Sequence, residues 1–141
     1  MLTYAKNIYR SDMDLTHPLL GVIVFDFAFF CLRRYGFVPT ITSIIRPQSK
    51  DSGVHAAGRA IDFSRHRYSD KGKVTGSIPE SDIPKILSYF NIKYPRGDQL
   101  DTIKYHDVGL GPHFHIQVAF DNAFRTWETE NIRLAESRRA T

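Results

Sequence analysis

Polar and apolar residues alternate with a period of two through His113-Phe-His-Ile-Gln-Val-Ala-Phe120, the pattern of a half-buried strand. His113, His115 and Gln117 then share one face, and Phe114, Ile116, Val118 and Phe120 the other. At a rise of about 3.3 Å per residue the two imidazoles stand roughly 6.6 Å apart and point the same way. A second period-two run places Ala60, Asp62 and Ser64 opposite Arg59, Ile61 and Phe63. Gly53 and Gly58 bracket His55 with residues free to adopt positive φ, so His55 is expected on a loop and Asp62 on a strand. Upstream, Val38-Pro-Thr-Ile-Thr-Ser-Ile-Ile-Arg46-Pro47 is rich in β-branched residues and predicts a strand ending in a cation.

Elsewhere the pattern changes to that of helices and turns. The run Leu19 to Phe30 holds one charge, Asp26, and at about twelve residues is too short to cross a bilayer, which needs about twenty. It predicts a buried helix, with Thr16 as cap, Pro18 in the first turn, Arg33 and Arg34 at its C-terminus and Gly36 ending it. Asp26 is expected to be solvated at the helix edge. Residues 65 to 80 are basic and polar and predict a flexible loop near the site. Ser81 is expected to cap a short helix with an apolar stripe of Ile83, Ile86, Leu87 and Phe90. After the turn Tyr94-Pro-Arg-Gly97, a short strand around Asp101 to Tyr105 leads to the His113 strand. Asp121 is placed to cap a last helix with Phe124, Trp127 and Leu134 inward and Arg138 and Arg139 at its end. The expectation is one α+β domain over residues 1 to 141, with helices packed on a central antiparallel sheet.

The chemistry lies in the polar members of the strands. A carboxylate at Asp62, set between Ile61 and Phe63, costs several kcal/mol if buried without a partner. A metal ion is one such partner. Two histidine nitrogens and a carboxylate oxygen with an open position form the ligand set of a hydrolytic zinc site. A single histidine in a strand rich in Phe and Ile is more often a hydrogen-bonded structural residue, and it is the combination of His55, Asp62 and His113-Phe-His115 that favours a metal. If the Val38 strand pairs beside residues 59 to 64, Arg46 lands at the rim, to hold a carboxylate or a developing oxyanion. A solvated surface ion pair is an equal alternative for that arginine.

Thr42-Ser-Ile-Ile-Arg46, His55-Ala-Ala-Gly58-Arg-Ala60-Ile-Asp62 and His113-Phe-His115 together resemble the zinc D-alanyl-D-alanine peptidase family. Its members include D,D-carboxypeptidases, D-alanyl-D-alanine dipeptidases, murein endopeptidases and phage L-alanyl-D-glutamate endolysins. The family motif S-x-H-x-x-G-x-A-x-D is met at His55, Gly58, Ala60 and Asp62, and the motif H-x-H at His113 and His115. The resemblance implies one zinc ion per chain on His55, Asp62 and His115, with His113 beside the reacting centre and Arg46 binding substrate. Gly53 stands where the family has serine, with Ser52 one place further back. Pro112 stands where the E-x-x-H branch has its glutamate, so the chain follows the H-x-H branch. His113 is then the candidate general acid or base, with His106 and Asp107 as candidates to orient or replace it, on a segment that Gly109 and Gly111 make a loop or turn and where neither side chain is positioned by the pattern.

Composition adds little that is specific. The 141 residues, 42% hydrophobic and 24% charged, fit one soluble globular domain. The single cysteine, Cys31, allows no disulfide within the chain and is expected to be a buried thiol. The net charge of +4 suits anionic wall polymers but also lies within the ordinary solubility range. No export signal is apparent in the first residues. The expected protein is a monomeric, zinc-dependent peptidase of peptidoglycan stem peptides or cross-links, made in the cytoplasm and acting on the wall after release or as a virion component. It has no transmembrane segment and no specific nucleic-acid partner. Two alternatives stay open: a catalytically inactive zinc-containing binding or virion module, and a basic nucleic-acid-binding metal protein.

Overall fold

The computed structural model describes residues 2–44, 58–107, 109, 111–121, and 126, 129, 130, 133, 134 and 137. In chain order its elements are β1 (Thr3–Tyr4), α1 (Ile8–Asp12), a 3-10 turn (Met13–Leu15), α2 (Pro18–Tyr35), β2 (Thr40–Ser43), β3 (Ala60–Phe63), β4 (His66–Tyr68), β5 (Val74–Ser77), a second 3-10 turn (Glu80–Asp82), α3 (Ile83–Lys93), β6 (Ile103–His106) and β7 (His113–Gln117). The described positions beyond Asp121 are helical. Phe124, Trp127, Arg138 and Arg139, expected in that last helix, lie outside the described residues.

The apolar run from Leu19 becomes α2 because Pro18, with its fixed φ and missing N–H, occupies the first turn where neither is a handicap. The cap is His17, whose Nδ1 accepts from the Leu19 N–H at 3.2 Å. Thr16 does not cap. It lies one residue too early, and its hydroxyl donates to the Met13 carbonyl at 2.9 Å. Gly36 ends the helix at φ 79°, with its N–H on the Leu32 carbonyl, in the left-handed cap that glycine adopts without a Cβ penalty. Leu20, Ile23, Val24, Phe27, Ala28 and Cys31 are buried along one face. Leu19, Val22, Phe25, Phe29 and Leu32, on the other, are 40–58% exposed, so the helix is buried on one side only. Burial pushes the Cys31 thiol up to about 12, as expected of an inert buried cysteine.

Five strands form one sheet in the order β1-β2-β3-β7-β6. The pairs β2/β3, β3/β7 and β7/β6 are antiparallel, whereas β1 lies parallel to β2. The α+β class stands, but the sheet is mixed rather than antiparallel. Between β1 and β2 the chain runs through α1 and α2, a connection long enough to let the second strand return in the same direction. Ile61, Phe63, Phe114 and Ile116 face α2 and α3. The Phe27 ring lies 4.9 Å from Phe63, 5.3 Å from Phe114 and 5.7 Å from Phe90. The alternation of a strand therefore lifts Asp62, His113 and His115 onto the face away from those helices.

Two other segments depart from expectation. Residues 66–77 form a two-stranded hairpin, β4 with β5, where a flexible loop was expected. Its turn is closed by the Ser69 hydroxyl, which accepts from the Lys71 and Lys73 N–H groups, and Tyr68 N–H bonds Thr40 Oγ1 at 3.0 Å to tie it to β2. Gly76 lets it approach closely, since a Cβ there would meet the Phe37 ring at 2.9 Å. Before α3, Ser81 lies inside the 3-10 turn and does not cap the helix. The cap position is Asp82, whose carboxylate instead accepts from the Tyr35 hydroxyl at 2.7 Å. The expected stripe holds, with Ile83, Ile86 and Phe90 buried and Leu87 packed against the core.

Candidate metal centre

Three neighbouring strands build the site. β7 is bonded on both sides, so its backbone is held rigidly, and the register sets Asp62 of β3 opposite His115 and His106 of β6 opposite His113. Because opposed residues in an antiparallel pair share a face, Asp62, His115, His113 and His106 converge on the face away from the helices. Asp62 is 3% exposed, and His113 and His115 are 9% exposed each. His106 and Gln117 are half-buried and Lys104 is exposed, so the site opens towards β6.

His115 Nδ1 lies 2.8 Å from Asp62 Oδ1, and its Nε2 lies 2.9 Å from Gln117 Oε1. With its proton on Nδ1 the ring donates to the Asp62 carboxylate; with its proton on Nε2 it donates to the Gln117 oxygen, and the Nδ1 lone pair and the carboxylate oxygen can then share a cation. His113 Nδ1 donates to the Gly111 carbonyl at 3.0 Å, which leaves its Nε2 with a lone pair, 3.6 Å from Asp62 Oδ2. The ring of His106 stands 4.9 Å from that of His113 and 5.2 Å from that of His115. His106, His113 and His115 each offer a nitrogen within 4.8 Å of the others, close enough to hold one metal ion.

The surroundings favour neutral imidazole at His106. Burial lowers its pKa most, and the neighbouring His115 and His113 lower it further, against the raising effect of Asp62. Neutral imidazole is the form that binds metal. Asp107 forms no hydrogen bond or ion pair with His113. Its Oδ1 accepts the N–H groups of Gly109 at 2.8 Å and Gly111 at 3.1 Å, which fixes the turn whose Gly111 carbonyl orients His113. Both donor glycines have positive φ, 106° and 93°.

Of the residues expected at the site, the structure thus brings together Asp62, His113, His115 and His106, with Asp107 acting through the turn. Arg46, Ser52 and His55 lie outside the described residues. Gln117 had been placed on the histidine face without a role, and it is the second partner of His115. Lys104, which faces His115 across the β6/β7 pair, was missed, although the alternation Ile103-Lys-Tyr-His106 carries the signal. Among the described residues no helix is long and apolar enough to cross a membrane. Comparison with known protein families, curated proteins and solved structures finds no match.

Proposed function

We propose that this chain is a zinc-dependent peptidase that hydrolyses peptide bonds of bacterial peptidoglycan stem peptides or cross-links, in the manner of a phage-type wall lysin. The observation that carries the reading is the convergence of a buried carboxylate and three imidazoles on one face of the sheet, with Asp62 Oδ1 2.8 Å from His115 Nδ1. Imidazole and carboxylate donors suit zinc, and Asp62 and His115, with His55 as the resemblance implies, would hold it. Zinc in such a site supplies a Lewis acid and lowers the pKa of its water towards about 7.

The remaining work falls to the chain's own groups. His113 presents its Nε2 lone pair to the cluster because Gly111 holds Nδ1, so it is placed to take a proton from the attacking water and return it to the leaving amine. Arg46, at the substrate-binding position of the family motif, would bind a substrate carboxylate or the developing oxyanion. The mutual proximity of His106, His113 and His115 favours a second reading of the ligand set, in which His106 and His113 bind the metal with His115.

Digestion of purified murein with and without a chelator, read by mass spectrometry, tests the function and identifies the bond. His115→Ala should lose both zinc and hydrolysis, whereas His113→Ala and His106→Ala should keep zinc, with His113→Ala losing rate. Loss of zinc from His106→Ala and His113→Ala selects the three-histidine set. Stoichiometric zinc with no turnover on any murein peptide would identify a binding or virion module instead.

A further inference from the structure

The hydrogen-bonding pattern of β6 points to where an extended ligand would lie. Gln117 N–H bonds the Thr102 carbonyl at 2.8 Å, and antiparallel strands bond in alternate pairs. Lys104 and His106 therefore bond inward to β7, while Ile103 and Tyr105 turn their backbone groups outward. Ile103 is already occupied: its N–H donates to Asn91 Oδ1 at 2.9 Å, and Asn91 Nδ2 donates to its carbonyl at 3.0 Å. Asn91, on α3, thus closes the first half of this edge. Among the described residues nothing bonds the outward N–H and C=O of Tyr105, one residue from His106. Beside it Lys104 is exposed on the histidine face, directly across from His115, and no described residue forms an ion pair with it.

We propose that the outer edge of β6 is a peptide-docking edge, where an extended peptide pairs with the Tyr105 backbone and Lys104 binds a carboxylate of that peptide. Strand addition gives such a ligand backbone hydrogen bonds without regard to its side chains, and the lysine supplies selectivity for an anionic one. An occupant of this edge lies beside the side on which the site opens. The identity of the peptide rests on the peptidase reading, whereas the docking edge does not.

The test uses the full chain supplied with zinc and two synthetic peptides, L-alanyl-D-glutamyl-meso-diaminopimelyl-D-alanine and the same peptide with its carboxylates amidated. Amide hydrogen exchange at Tyr105 reads docking, and kcat and KM read turnover. The expected result is that the acidic peptide protects the Tyr105 N–H more than the amidated one does. Lys104→Gln should keep its zinc and raise KM about five- to tenfold for the acidic peptide alone. Protection of Tyr105 with no turnover of either peptide supports the docking edge and counts against the peptidase. Turnover with unchanged exchange at Tyr105, or no protection by either peptide, overturns the docking edge. A Lys104→Gln protein with wild-type KM for the acidic peptide overturns the role of the lysine.

Discussion

Zinc should raise the melting temperature of this chain, and the size of the rise follows from linkage. A ligand that binds only the folded state, present at about a hundred times its Kd, stabilises that state by about 2.7 kcal/mol. For 141 residues the entropy of unfolding, about 2.1 cal/mol/K per residue, amounts to about 0.3 kcal/mol/K. The expected rise is therefore about 9 °C. Differential scanning calorimetry of the chelator-treated protein, with and without zinc, measures it directly. Magnesium at the same concentration should do little, because a site of imidazoles and one carboxylate lacks the oxygen ligands that magnesium prefers.

His115→Gln makes the experiment discriminating. The substitution leaves a polar group beside Asp62, so the buried carboxylate at 3% exposure is not stranded. If Asp62 and His115 form only a structural hydrogen bond, the variant loses about 0.5–1.5 kcal/mol in the metal-free state, and zinc affects neither protein. If they are metal ligands, the zinc-induced rise falls below about 2 °C in the variant while the wild type keeps its own. Equal shifts in the two proteins, or none in the wild type, would refute the metal reading.

Phe27→Ala removes the ring that packs on Phe63, Phe90 and Phe114 and should cost about 3–5 kcal/mol, seen as a lower urea midpoint at unchanged slope. At Asp26, burial raises the carboxyl pKa, but hydrogen bonds from Lys93 and Tyr94 and the charges of Lys93 and Arg33 outweigh it, and the net shift is downward. The folded carboxylate therefore binds its proton less tightly than the unfolded one, so its contribution is present above about pH 4 and lost as the pH falls through the lower folded value. Urea titrations between pH 7 and pH 2 should show a shallower acid-side loss of stability in Asp26→Asn than in the wild type. Asp107→Ala releases the turn that holds Gly111 against His113, and kcat should fall about 10- to 100-fold with zinc retained. Asp107→Asn, which keeps the Oδ1 acceptor, should restore most of it.

The parts of the fold legible in the sequence are those with a clear period. His113 to Gln117 and Ala60 to Phe63 alternate cleanly, and the structure places Ile61, Phe63, Phe114 and Ile116 in the core with Phe27 and Asp62, His113 and His115 on the far face. The stripe of Ile83, Ile86 and Phe90 was equally readable. What failed was local and short. β1 has two residues, too few for any period. The hairpin at residues 66–77 is masked by its charges, and what orders it is the Ser69 hydroxyl in the turn and the contact of Tyr68 with Thr40, a residue far away in sequence. Thr16 and Ser81 have the chemistry of caps, yet Pro18 fixes the start of α2 after His17, and a 3-10 turn carries the chain past Ser81.

The site shows where sequence pattern reaches its limit. Alternation fixes which face a side chain occupies, but only register decides which side chains meet, and register depends on contacts between strands remote in sequence. Residue types alone do not bring His115 to Asp62; the pairing of β3 with β7 at those positions does. His106 could not be placed at all, because it reaches His113 only through the hairpin that joins β6 to β7. The same register also couples stability to chemistry. A slip of β7 by one residue would turn Phe114 and Ile116 out of the core at the moment it carried His113 and His115 away from Asp62 and His106. The packing of Phe114 on Phe27 therefore holds the imidazoles in place, and core substitutions at Phe27 or Phe114 should loosen the site even though neither ring touches it.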